Sequence, residues 1–137
     1  MALKVELKPG EKFILGDSVI VNDDQRTRLT IEGEAPILRE KDVMTLEAAD
    51  TPCKKIYLLV QLMYLSRNPV QHHKMYFDLV NDVVQAAPST LKFVDEINNL
   101  ILTGSLYKAL KATKSLIEYE GALLNHASRG SSVRVDG

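Results

Sequence analysis

The stretch "EGEAPILREKDVMTLEAADTPCKKIYLL", residues 32 to 59, decides how the chain divides. Its first part closes a period-two pattern: Ile37 to Arg39 follows Pro36 as a short extended run, and alternating apolar and polar side chains are what a half-buried strand requires. Its second part opens a 3.6-residue pattern. Thr51-Pro52 offers an N-cap with proline at the first helical position, and Ile56, Leu59, Val60, Met63 and Tyr64 then share one helical face. The linker Thr45 to Asp50 is too short for free movement, so the two patterns are expected to pack as one unit.

Upstream, Leu3, Val5 and Leu7 alternate with Lys4, Glu6 and Lys8 before a Pro9-Gly10 turn. Runs at Lys12 to Leu15 and Ser18 to Val21 stop at Gly16-Asp17 and at Asn22-Asp23-Asp24, both turn chemistry. The fourth run is the clearest: Thr27, Leu29 and Ile31 point one way, Arg26, Arg28, Thr30 and Glu32 the other. With Ile37 to Arg39 this makes five short strands in residues 1–44, a small antiparallel sheet or partial barrel.

Downstream, Leu58, Leu62 and Leu65 widen the apolar stripe of the first helix. A second helix is expected from about Val70 to Ala87, with Tyr76, Leu79, Val80, Val83 and Val84 on one face. Pro88-Ser89 starts a third, carrying Val94, Ile97 and Ile101 and closed by Gly104. Ser105 opens a fourth, with Leu106, Ala109, Leu110, Thr113 and Ile117 inward. The fold class is therefore α+β, a strand module followed by a four-helix bundle over residues 45–124, and 125–137 reads as a mobile tail.

Composition narrows the chemistry. The 137 residues carry 17 Lys plus Arg against 18 Asp plus Glu, so no general field draws the chain to nucleic acid and any such binding needs a local patch. One cysteine excludes an internal disulfide, and neither a leader nor a spanning segment is legible, which makes a soluble cytoplasmic protein the plain expectation. His72-His73, near Asp78 and Asp82, invites a metal-site reading, but adjacent helical residues point about 100° apart. With no HExxH and no CxxC, no metal or other cofactor is expected. Cys53 stands in a helix's first turn, where a thiolate is favoured, yet no partner base accompanies it. Gly10, Gly16 and Gly33 are turn residues and form no phosphate loop, and Asp23-Asp24 lacks the rest of a calcium loop. No enzyme is expected.

Two basic features remain. Lys108, Lys111 and Lys114 follow the spacing of a solvated helix face. Arg26 and Arg28 on the fourth strand, with Arg39 and Lys41 in the next segment, form the other. Guanidinium groups so placed can hold phosphates and stack on unpaired bases, unless Glu32, Glu34 and Glu40 simply balance them as a wet strand face.

Read together, "LKVELKPGEKFILGDSVI", "EGEAPILREKDVMT", "DTPCKKIYLLVQLMYL", "HHKMYFDLV" and "GSLYKALKATKSLIEYE" resemble the FlbT family, post-transcriptional flagellin regulators, from Ala2 to about Leu124. The resemblance implies a non-enzymatic repressor of flagellin synthesis acting on the 5′ leader of flagellin messenger RNA. It further implies a FlaF-type co-regulator, and flagellin protein itself, as partners. More locally, "GEKFILGDSVIV" and "APILREKDV" are similar to the carbon storage regulator family of small RNA-binding proteins. That likeness assigns RNA contact to Arg39 and matches Lys8 to a basic first-strand position, although Leu7 stands where a second basic residue is usual. The expected RNA face is thus Arg39 with Arg26, Arg28, Lys8 and Lys41 in support. The alternative is a protein-binding adaptor that affects translation indirectly, for which Leu58, Leu62 and Leu65 are the candidate partner face. Self-association stays open.

Overall fold

The structure, a computed structural model, describes the backbone of residues 2–136 and the side chains of residues 2–127. It is α+β, five strands followed by four helices, and divides into two compact units, Met1–Val43 and Met44–Gly137.

In the first unit β1 (Ala2–Leu7) pairs antiparallel with β4 (Thr27–Glu32), placing Glu6 opposite Arg28 and Leu7 opposite Thr27. A second antiparallel sheet runs β3 (Ser18–Val21), β2 (Lys12–Leu15), β5 (Ile37–Arg39). The five strands expected as a small antiparallel sheet or partial barrel form two small antiparallel sheets, and the turn after β1, the loop after β3 and the connection after β4 each carry the chain from one sheet to the other. Between them Val5, Leu7 and Phe13 are buried, with Leu15, Ile20, Leu29, Ile31 and Ile37 packed around them. Alternation along each strand supplies this core. In β4 the inward set is Thr27, Leu29 and Ile31, and Arg28, Thr30 and Glu32 are exposed. Leu38, on the opposite side of β5 from Ile37, is buried as well.

Turn chemistry fixes the joints. Gly16 has φ +63° in the two-residue loop between Leu15 and Ser18, while Asp17 beside it does not have positive φ, the pattern of a type II′ hairpin. Asn22 ties the other two connections together: its Nδ2 donates to the carbonyls of Lys8 (2.7 Å), Gln25 (2.8 Å) and Leu7 (3.4 Å). The Gly10 N–H to Asp23 carbonyl bond, 2.8 Å, and the Asn22 N–H to Glu11 carbonyl bond, 2.9 Å, complete the knot.

In the second unit α1 (Pro52–Leu65) opens as expected: the Thr51 hydroxyl accepts from the Lys54 N–H at 3.2 Å, and Pro52 occupies the first turn. Glu120 adds a second cap from α4 (Leu106–Asp136), accepting from the Thr51 hydroxyl at 2.5 Å and the Cys53 N–H at 3.0 Å. At the other end Tyr64 and Tyr107 rings meet at 5.7 Å, so α1 and α4 lie antiparallel. The second helix, α2 (His73–Ala86), begins later than Val70 because Pro69–His72 forms a 3₁₀ turn. After a further 3₁₀ turn, Pro88–Thr90, α3 (Leu91–Leu102) ends in a Schellman motif: Ser105 N–H donates to the Leu100 carbonyl (2.8 Å), Gly104 N–H to that of Ile101 (3.1 Å), and Gly104 has φ +80°.

The helical core is Ile56, Val60, Met63, Tyr76, Val80, Val94, Ile97, Ile101, Leu110 and Leu116 among its larger members. Leu116 takes the inward place expected of Ile117, which is half-buried. The Tyr76 hydroxyl, donating to Asn98 at 2.7 Å, joins α2 to α3. The stretch 125–137, expected as a mobile tail, is assigned to α4 as far as Asp136, and its side chains from residue 128 lie outside the described residues. No helix, among the described residues, is long and apolar enough to cross a membrane.

Candidate nucleic-acid interface

The outer face of the β1–β4 sheet is where the strand periodicity collects charge. Lys4 and Glu6 alternate outward along β1, and Arg28 and Thr30 do so along β4; all four are exposed. They line a shallow depression of about 380 Å³ whose floor is Val5 and Leu29.

Glu6 organises the arginines. Arg26 Nη1 donates to its Oε1 at 2.7 Å, and both side chains are about half exposed or more. Arg28 stands directly opposite in the ladder, and Arg39 Nη2 donates to the Glu6 backbone carbonyl at 3.0 Å. The hydrogen bond and positive charge of Arg26, with a smaller contribution from Arg28, hold the Glu6 carboxyl below its ordinary value of 4.5. An ion pair this exposed adds little stability; its effect is to fix where the guanidinium sits. Three arginines, two from the β4 segment and one from β5, thus converge on one residue of β1. Each guanidinium carries five donors, so the single described contacts of Arg26 and Arg39 leave most of that capacity for an outside acceptor.

Lys8 and Lys41 make no described side-chain contact with this group. Lys8 lies one residue past β1, its carbonyl gripped by Asn22 and its N–H donating to Glu11 Oε1 at 2.9 Å. Lys41 sits in the 3₁₀ turn Glu40–Asp42 beyond β5 and is exposed. Neighbouring Glu40, also exposed, accepts from the Lys12 N–H at 3.3 Å. Sequence reasoning missed Glu6 and Lys4. The alternation of Lys4, Glu6 and Lys8 was visible, but which strand faces them depends on a pairing more than twenty residues distant in sequence.

In the helical unit Leu58 and Leu65 are half-buried and Leu62 is 42% exposed, whereas Ile56, Leu59, Val60 and Met63 on the same helix are buried. The three leucines recur at one-turn spacing along α1. His72 lies in the turn before α2, its Nε2 3.2 Å from Gln71 Nε2, and His73 packs edge-on against Phe77. Among the described residues no group of three His, Cys, Asp or Glu could hold a metal ion. Asp78 pairs with Lys74 at 3.0 Å. Cys53 is buried, and burial with the adjoining Glu120 carboxylate pushes its thiol up to about 12. The helix dipole is thereby outweighed.

The model of one family, described as flagellar protein FlbT, matches residues 3–124. A probable flagellum biosynthesis repressor protein FlbT 1 of Bradyrhizobium diazoefficiens is 57% identical over 124 residues, covering 90% of this chain and 85% of its own length. A Rhodopseudomonas palustris protein named probable flagellum biosynthesis repressor protein FlbT is 46% identical, with 91% and 99% covered. The flagellum biosynthesis repressor protein FlbT of Caulobacter vibrioides is 38% identical, with 99% of both covered. No solved structure matches the chain. With the family model matching residues 3–124, and relatives 38% to 57% identical covering 90% or more of the chain, the chain belongs to the FlbT family.

Proposed function

We propose that this chain regulates flagellum synthesis as a non-enzymatic repressor, by binding the 5′ leader of flagellin messenger RNA through the outer face of the β1–β4 sheet. The regulatory role follows from relatives named as flagellum biosynthesis repressors across nearly the whole chain. The observation that carries the RNA reading is the gathering of Arg26, Arg28 and Arg39 about Glu6 on an exposed sheet face, with Lys4 beside them and Lys8 at the strand end. A flat face bearing planar cations suits an unpaired, splayed RNA segment better than the deep groove of a duplex. Glu6 opposes indiscriminate binding of polyanions and orients Arg26. Lys41 extends the basic track past β5.

The test is a titration of labelled flagellin leader RNA at two salt concentrations with an unrelated RNA as competitor. Arg28→Ala, which removes a side chain with no described hydrogen bond, is expected to weaken leader binding by about 1–3 kcal/mol if it reads a base. Lys8→Gln is expected chiefly to flatten the salt dependence. Arg39→Ala should match Arg28→Ala, with circular dichroism checking that the loss of its bond to β1 leaves the fold intact. Unchanged binding in a folded Arg28→Ala, Arg39→Ala double variant sinks the reading.

A second reading is supported by the leucine face of α1. Leu62 is exposed and Leu58 and Leu65, one turn to either side, are half-buried, and such a face suits a protein partner. In that reading the chain is an adaptor for flagellin or a FlaF-type co-regulator, and repression is indirect. Failure of purified chain to capture either protein, with leader binding intact, removes it.

A further inference from the structure

The second sheet ends at β3, which pairs with β2 on one side only. Ser18, Ile20 and Asn22 turn their backbone groups toward β2: across the two-residue loop Ser18 faces Leu15 as a hydrogen-bonded pair, and the Asn22 N–H donates to the Glu11 carbonyl at 2.9 Å. By alternation the N–H and C=O groups of Val19 and Val21 point to the open edge. The side chains of these two valines point away from the core that holds Ile20, and they are 62% and 60% exposed. Val19 also ends a row. It lies opposite Ile14, and Ile14 opposite Leu38, so one face of the sheet carries three apolar side chains abreast, exposed at β3, half-buried at β2 and buried at β5. The strand itself, Ser-Val-Ile-Val, has none of the lysine, proline or bulge with which an edge is normally blunted. Its charge stands at the ends. Asp17 precedes it and Asp23 and Asp24 follow it, all exposed and in none of the ion pairs among the described residues.

We infer that the β3 edge receives an extended segment of a partner protein, run antiparallel, with β-branched apolar residues opposite Val19 and Val21 and a basic residue at either end. Such a strand satisfies the outward N–H and C=O groups of both valines and adds one more member to the Val19, Ile14, Leu38 row. Charge decides the ends of the occupant. Acid bounds the edge on both sides, whereas Lys12, opposite Val21, stands a strand further in, about 5 Å more distant from an incoming chain. A second copy of this chain is the wrong occupant for the same reason. The antiparallel register in which two β3 edges use both valines sets Val19 against Val21 of the other copy, and it sets Asp17 against Asp23 at each end, a like-charge contact. The inference rests on neither reading above, since β3 lies at the opposite edge of its sheet from β5 and Arg39, and the leucines belong to α1.

The probe is the synthetic peptide Lys-Thr-Val-Thr-Val-Thr-Lys, compared with the same peptide ending in glutamates, each titrated to millimolar concentration into the isotope-labelled full chain and followed by its amide resonances. The Val19 and Val21 amides are expected to shift and to exchange more slowly with solvent, and the lysine peptide to bind about tenfold more tightly than the glutamate one. N-methylation of the peptide's two valines, whose N–H groups face β3, should abolish binding, while N-methylation of its central threonine, whose N–H faces away, should not. Val19→Lys, at an exposed position, should weaken the lysine peptide by about tenfold or more, and an Asp17→Lys, Asp23→Lys double variant should reverse the preference. The same amide spectrum reports whether each variant is folded. Equal binding of the two peptides, indifference to valine N-methylation, or no change at Val19 and Val21 overturns the proposal. So does a dimer in sedimentation whose Val19 and Val21 amides are already protected without peptide, since a second copy of the chain then fills the edge.

Discussion

Cys53 shows how a residue's chemistry is set by what surrounds it. The position alone, in the first turn of α1, favours a thiolate, but burial and the Glu120 carboxylate keep the proton on sulfur up to about pH 12. Native protein at pH 8 should therefore react very slowly with a thiol-specific disulfide reagent and rapidly once denaturant exposes the side chain; a fast native reaction contradicts the burial. The sign of the linkage follows. A thiol whose folded value is raised above its ordinary 9.0 contributes stability in full below about pH 9 and loses it as pH rises toward 12. Glu6 is the opposite case, an exposed carboxyl held low by Arg26, and its pair loosens only when pH falls below the ordinary 4.5. The position of Cys53 was legible in the sequence, but its neighbour Glu120 was not, and Glu6 drew no notice, because each acquires its role from a partner far along the chain.

At the scale of elements, caps and turns were the most legible features. Thr51-Pro52 marked the start of α1, and Gly104 the end of α3, for local steric reasons that need no tertiary context. Gly104 at φ +80° has open space where a Cβ would stand, so Gly104→Ala tests backbone conformation alone. It should destabilise the helical unit by about 1–2 kcal/mol, read from a lowered thermal midpoint; an unchanged midpoint contradicts the Schellman end. Strand ranges were legible too, since period two is strong in Thr27–Glu32. Which strand pairs with which was not. Asn22 ties together two of the connections between the sheets, and a polar residue in a turn gives no sign in sequence of three carbonyls waiting for it. The arginines of the candidate interface were legible as types, while their convergence on Glu6 followed only from the pairing of β1 with β4. The start of α2 was misjudged because Pro69 permits a 3₁₀ turn as readily as a first α turn.

For the whole molecule the division into two units predicts unequal independence. The strand unit is small and its buried apolar core rests on Val5, Leu7 and Phe13, below the size at which a domain without disulfide or metal is usually secure. The helical unit has several times as many buried side chains. A fragment of residues 44–137 should melt cooperatively by circular dichroism, and a fragment of residues 1–43 should show no cooperative transition; a cooperative melt of the smaller piece refutes this ranking. Glu120 adds an order in time. The carboxylate that closes the beginning of α1 lies 67 residues after Cys53, and a ribosome makes the chain from its N-terminus. The first turn of α1 therefore waits, half-capped by Thr51 alone, until the first half of α4 has emerged. Amide exchange at Cys53 should be faster in a chain stopped at Tyr119 than in one extended a few residues further, and equal protection would show that the early turn closes unaided. An interrupted translation product is thus left open at its first helix, where a protease or chaperone can tell it from a finished one.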